Sequence, residues 1–146
     1  VAALKEALEL EPNFVAARFY LGMCYLKQKR FDLALAEFQT SKQAVPNSSE
    51  ALVLLALTYS EMGKLERTRQ CLLELKEVTK SHYASSVSFG IIHAALGEMD
   101  EAFKDMNKAF EEGAPVIRGL KTDPLFDNMR QDPRFASLMR RAGLAP

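Results

Sequence analysis

Residue classes in this chain of 146 residues recur every 34 positions. Pro12 and Pro46 are one step apart, as are Gly63 and Gly97. The same step joins Leu21, Leu55 and Phe89, and it joins Tyr25, Tyr59 and His93. It also joins Phe31, Leu65 and Met99, and runs through Leu4, Phe38, Leu72 and Met106. A fixed period of this length marks one supersecondary unit copied along the chain. Each copy then contacts only its neighbours, and the array offers an extended surface in place of a closed catalytic pocket.

Within each copy the apolar spacing is helical. Leu4, Ala7 and Leu8 share a face of a short helix that Pro12 ends. Asn13 is the expected cap for a helix over Phe14 to Lys27, and the next runs from Phe31 to Ala44, with Phe31, Leu35 and Phe38 on one stripe. Pro46 closes that unit, and Asn47 with Glu50 three residues on suggests capping-box logic at the following start. Helices are expected over Ser49 to Met62, Leu65 to Thr79, His82 to Leu96 and Met99 to Glu112, with Gly63 and Gly97 at the tight turns. Such short turns make neighbouring helices antiparallel.

This register resembles the tetratricopeptide repeat, whose pattern is a large residue, Leu-Gly, Tyr, then Ala, an aromatic and Pro. LGMCY supplies Leu21, Gly22 and Tyr25, followed by Ala34, Phe38 and Pro46. LALTY supplies Leu55, Ala56 and Tyr59, followed by Thr68 and Leu72, with Lys80 in the Pro position. FGIIH supplies Phe89, Gly90 and His93, followed by Ala102, Met106 and Ala109. The resemblance covers about residues 1–115 and implies an all-α, right-handed solenoid of antiparallel helix pairs. Its expected divisions are the second helix of a truncated repeat at 1–12, repeats at 15–48, 49–82 and 83–114, and a cap at 115–146. Gly22, Ala56 and Gly90 fall where two helices of a repeat cross, faced by Ala34 and Ala102. Gly22→Leu or Ala102→Leu is therefore expected to destabilise by about 1–3 kcal/mol through overpacking.

The last thirty residues depart from the period. Asp123-Pro124 and Asp132-Pro133 each put a capping residue before a Pro suited to a first helical position. Phe135, Leu138, Met139 and Ala142 form one stripe, Gly143 stops it, and Arg134, Arg140 and Arg141 are expected to point outward. This segment also resembles the end of bacterial multidomain proteins in which such an array follows a kinase, cyclase or winged-helix domain.

Lys+Arg 19 balances Asp+Glu 19, giving no general pull towards nucleic acid or acidic membrane. Locally, Tyr83 to Glu112 has 2 positive and 6 negative side chains, a charge of −4. Gly113 to Pro146 has 6 positive and 3 negative, a charge of +3, so mutual attraction is expected. The basic residues are Arg118, Lys121, Arg130, Arg134, Arg140 and Arg141, without the aromatic platform of a nucleic-acid site. Cys24 and Cys71 are expected to be free thiols. There is no phosphate loop, HExxH, GxSxG or metal-ligand spacing, so neither an enzyme, a cofactor nor a metal is expected. No apolar run is long enough to span a membrane. A cytoplasmic location is expected, and the opening residues read like the end of a repeat that starts upstream.

In a tetratricopeptide array the first helix of each pair lines the concave surface. The resemblance places Phe19, Met23 and Leu26 there, then Val53 and Leu57, then Val87 and Ile91, with Lys27, Glu50 and Glu61 flanking. Co-chaperones of this family grip a peptide's terminal carboxylate with Lys, Asn and Arg on that face. Here Phe19, Met23, Leu57, Ala84 and Ser88 stand in those places, so no such clamp is carried over. The expected function is a scaffold holding a partner peptide or helix in an apolar trough. The chain's own tail could fill that trough instead, through Leu120, Leu125 or Phe126. Other readings are self-association through Leu4, Ala7 and Leu8, and a regulatory appendage to a larger chain.

Overall fold

The computed structural model describes residues 1–114 and 119–144. All described regular structure is helical and no strand occurs among those residues. The chain divides into two compact units, Val1–His82 and Tyr83–Pro146.

The first unit holds α1 (Ala2–Leu10), α2 (Val15–Lys27), α3 (Phe31–Ala44), α4 (Ser49–Glu61) and α5 (Leu65–Val78). Each helix packs on the next, and α2 also touches α4. Helix α4 is apolar on every side, and all eight residues from Ala51 to Thr58 are buried. A helix without a polar stripe is stable only when surrounded. At the crossing of α2 and α3, Gly22 lies under the ring of Phe38, which is fully buried. A Cβ on Gly22 would stand 2.4 Å from a Phe38 ring carbon.

The second unit holds α6 (Ser86–Ala95), α7 (Met99–Glu111), a 3₁₀ helix (Pro124–Met129) and α8 (Pro133–Arg141). Helices α6 and α7 pair, and the 3₁₀ helix packs on α6. Asp123 and Asp132 cap as expected: their carboxylates accept from the backbone N–H of Leu125 at 3.0 Å and Arg134 at 2.9 Å. Phe135, Leu138 and Met139 are buried along one stripe of α8. Gly143 ends that helix at φ 71°, with the Leu144 N–H on the Met139 carbonyl at 2.9 Å.

Three local expectations are corrected. Asn13 does not cap α2; Phe14 holds the cap position without a side-chain bond. The turn is tied instead by Arg18, whose guanidinium donates to the Pro12 carbonyl at 2.8 Å and to Glu37 at 2.9 Å. Asn47 does not cap α4 either, because it takes the left-handed conformation at φ 68°. Ser48 is the cap, accepting from the Ala51 N–H at 3.1 Å. Helix α6 begins at Ser86 and not near His82, because Ser85 caps it by accepting from the Val87 N–H.

The 34-residue step is also a backbone fact. Lys29, Gly63 and Gly97 occupy equivalent places and all have positive φ, at 57°, 71° and 77°. After each, the N–H of Arg30, Lys64 or Glu98 returns to the carbonyl of Tyr25, Tyr59 or His93 at 2.8–2.9 Å. This is the left-handed helix stop for which glycine is suited. Lys29 carries a side chain in a conformation that strains it. Lys29→Gly is therefore expected to stabilise the first unit by about 0.5–1 kcal/mol, net of the entropy a glycine adds to the unfolded chain. A raised urea midpoint at unchanged slope checks it.

Candidate functional site

The residues expected on the inner face lie in both units. On α2, Phe19, Met23 and Leu26 are each half-buried. Their spacing of four and three puts them on one side of the helix. Tyr20 beside them is 67% exposed, enough ring for a partner to cover. On α4, which touches α2, Val53 and Leu57 are buried at 4% and 7% exposure. An open trough is thus corrected at these two positions: they can form a floor but not a contact surface. Lys27, Glu50 and Glu61 are exposed. In the second unit Val87 is half-buried and Ile91 is buried. The 3₁₀ helix of the tail packs on α6, which carries both, and its Leu120 approach and Phe126 are buried while Leu125 is half-buried. The tail therefore covers part of α6 within its own unit.

Among the repeat positions, Leu21, Gly22, Tyr25, Ala34, Phe38, Leu55, Ala56, Gly90 and Ala102 are buried. Tyr59 and Phe89 are half-buried, and Pro46 is exposed in its turn. The aromatic position changes chemistry along the array. The Arg30 guanidinium stacks over the Tyr25 ring, 5.1 Å from its centre. Two repeats later, His93 is buried and its Nδ1 lies 2.6 Å from Asp105, with Glu98 in the place of Arg30 and 3.9 Å from Nε2. Cation on ring has become carboxylate on imidazole. Burial raises the Asp105 carboxyl above the usual range, and the His93 bond works against that rise. With both imidazole nitrogens turned to carboxylates of its own hairpin, His93 joins α6 to α7.

Among the described basic residues of the tail, Arg130 is half-buried and the others are exposed. Arg130 donates to the carbonyls of Leu120 at 2.6 Å, Lys121 at 2.8 Å and Asp123 at 2.6 Å, and to Asp127 at 2.9 Å. Its guanidinium also lies 5.4 Å from the Phe135 ring centre. One side chain thus ties the turn, the 3₁₀ helix and α8 together. Arg130→Ala is expected to cost about 2 kcal/mol, the scale of charge-assisted bonds to carbonyls that lose their donor. Faster amide exchange over residues 119–132, with α2–α5 unchanged, checks it.

Arg134 and Arg141 are exposed, as expected, and from the surface they also reach α7. Arg134 donates to Asp100 at 2.7 Å and lies 4.6 Å from the Phe103 ring centre. Arg141, one heptad on, donates to Asn107 and lies 5.0 Å from the Phe110 ring centre. Arg134 also holds the Asp132 carboxyl at about 2, first through its guanidinium and then through its backbone N–H. The attraction expected between the acidic and basic segments takes this form. Lys121 and Arg140 are exposed, and Arg118 lies outside the described residues.

Burial, then Glu74, pushes the Cys71 thiol up to about 11, so it stays protonated and a poor nucleophile at neutral pH. Cys24 is also a free thiol. No group of three or more potential metal ligands occurs among the described residues. No described helix is long and apolar enough to cross a membrane.

A second depression was not foreseen. A cleft of about 500 Å³ lies between α3 and α5, floored by Leu55, Tyr59 and Cys71. Its polar walls come from the second helices of the pairs, whose outer faces the repeat pattern leaves unspecified. The available signal was glutamine spaced by one helical turn.

Comparison with characterised proteins finds no match. Two family profiles described as tetratricopeptide repeat do match, one over residues 1–49 and one over 49–82. Together with helix pairs that repeat the same turn every 34 residues, these matches show that the chain belongs to the tetratricopeptide-repeat family.

Proposed function

We propose that this domain is a protein-interaction module that takes a partner peptide or helix on the face of α2, with α4 as its buried backing. The observation that carries this reading is the half-buried row Phe19, Met23 and Leu26 on α2, beside the buried floor residues Val53 and Leu57. Apolar side chains at these spacings suit the apolar stripe of an amphipathic helix. The absence of Lys, Asn and Arg at the clamp positions argues against capture of a terminal carboxylate. Met23→Glu is the discriminating variant, because Met23 is partly open to solvent and a charge there spares the core. Leu57→Glu would bury a carboxylate and unfold α4, so it cannot serve. Cross-linking mass spectrometry should map the partner onto α2, and Met23→Glu should weaken binding at least tenfold with an unchanged thermal melt. Full binding by that variant removes the reading.

A second reading, self-association, is favoured by α1, none of whose residues is buried and whose Leu10 is 80% exposed. Light scattering over a range of concentrations should then show mass rising with concentration, and Leu10→Lys should abolish the rise. A constant monomer removes it.

A further inference from the structure

The cleft between α3 and α5 has a regularity that packing does not require. Both helices join α4 through tight turns and run antiparallel to it, so they run parallel to each other. Gln39 and Gln43 stand one turn apart on the α3 wall, and Gln70 and Glu74 stand one turn apart on the α5 wall. The three glutamine carboxamides have no protein partner among the described residues. Lys42 and Glu74 meet across the cleft at 2.5 Å and hold the walls at this separation. Arg67, on the α5 wall, has no carboxylate partner among the described residues.

We propose that this cleft is a second binding site, which takes an extended polypeptide strand by its backbone. Four residues of helix advance about 6 Å. Two residues of an extended chain advance about 6.6 Å, and alternate residues present their N–H and C=O to the same side. One carboxamide per turn therefore keeps step with one backbone N–H and C=O pair per two residues of strand. A carboxamide both donates and accepts, so it can satisfy both groups of one peptide residue. Gln39 and Gln43 supply two rungs on the α3 wall and Gln70 one on the α5 wall, so the strand lies over the Lys42–Glu74 pair and the site holds three to four residues. Arg67 favours an acidic side chain or a terminal carboxylate at its end of the strand. Helix α4 separates this site from the face proposed above: Leu55 and Tyr59 are two positions from Val53 and Leu57, about 200° around the helix. The two sites stand or fall independently.

The test uses the whole domain and a displayed library of random hexapeptides with a free carboxyl end. Selected peptides should bind with at least tenfold lower affinity to the Gln43→Ala/Gln70→Ala variant, whose fold is checked by its thermal melt. N-methylation at alternate backbone nitrogens of the peptide should cause a similar loss. Met23→Glu should leave binding unchanged, and the side-chain amide signals of Gln39, Gln43 and Gln70 should shift on titration. The proposal is overturned if no peptide is enriched. It is equally overturned if enriched peptides keep their affinity for the double variant, tolerate N-methylation, or lose binding with Met23→Glu.

Discussion

Phe38→Ala should lower the stability of the first unit by about 3–5 kcal/mol, the largest loss expected from truncating one side chain. The ring is fully buried between α2 and α3, and Gly22 opens the space that it fills. Removing it leaves a void lined on one side by a glycine, which has no side chain to swing into the gap. Neighbours on rigid helices can relax only partly, so the cavity cost adds to the lost transfer energy. The effect should be read from amide exchange in α2 and α3, where protection falls, and from a lower urea midpoint. A loss below about 1 kcal/mol would mean that the two helices close over the gap.

Gly22→Leu should fail from the opposite side, at the upper end of the range for overpacked cores, about 3 kcal/mol. Even a Cβ there would approach three Phe38 ring carbons at 2.4–2.9 Å, and a planar ring between two helices has little room to turn. Gly90 gives the internal contrast. A Cβ there would meet the Ala102 carbonyl oxygen and the Met106 sulfur, each at 3.2 Å, which is a looser approach than the 2.4 Å at Gly22, and the thioether chain can move aside although the carbonyl cannot. Gly90→Ala should accordingly cost less than Gly22→Ala. The 34-residue step also supplies the compensating change, since the second repeat has Ala56 and Leu72 where the first has Gly22 and Phe38. Gly22→Ala with Phe38→Leu should be more stable than the sum of the separate losses. A strictly additive pair would show that the two sites do not share one space.

The crossings between helices were legible because two constraints coincide there. A position such as Gly22 or Ala102 must be small, it must recur, and it must sit at a helical spacing from its neighbours. Helix starts were less legible. Asn47 and Ser48 are adjacent residues with similar capping chemistry, and only the backbone decides: Asn47 takes the left-handed turn and Ser48 receives the bond. The shift of α6 to Ser86 has the same origin, in a serine whose competing neighbours looked as helical as itself. Arginine roles were least legible. Charge spacing shows where Arg130 lies in the chain but not that the carbonyls of Leu120, Lys121 and Asp123 turn towards it. Of the trough, the α2 row was readable, while the burial of Val53 and Leu57 was not. Their depth depends on three surrounding helices, and periodicity reports only the side on which a residue stands.

Helix α4 has a consequence for how such a domain can diversify. Eight successive residues with no solvent-facing member leave nothing on that stretch for a partner to read. Recognition must then be written on the helices to either side, and α4 serves as the stiff backing that keeps those surfaces at a set separation. New partners can be acquired by changing α2, α3 or α5 alone. The price is a single point of failure: a polar change anywhere from Ala51 to Leu57 removes the support of every surface in the first unit at once.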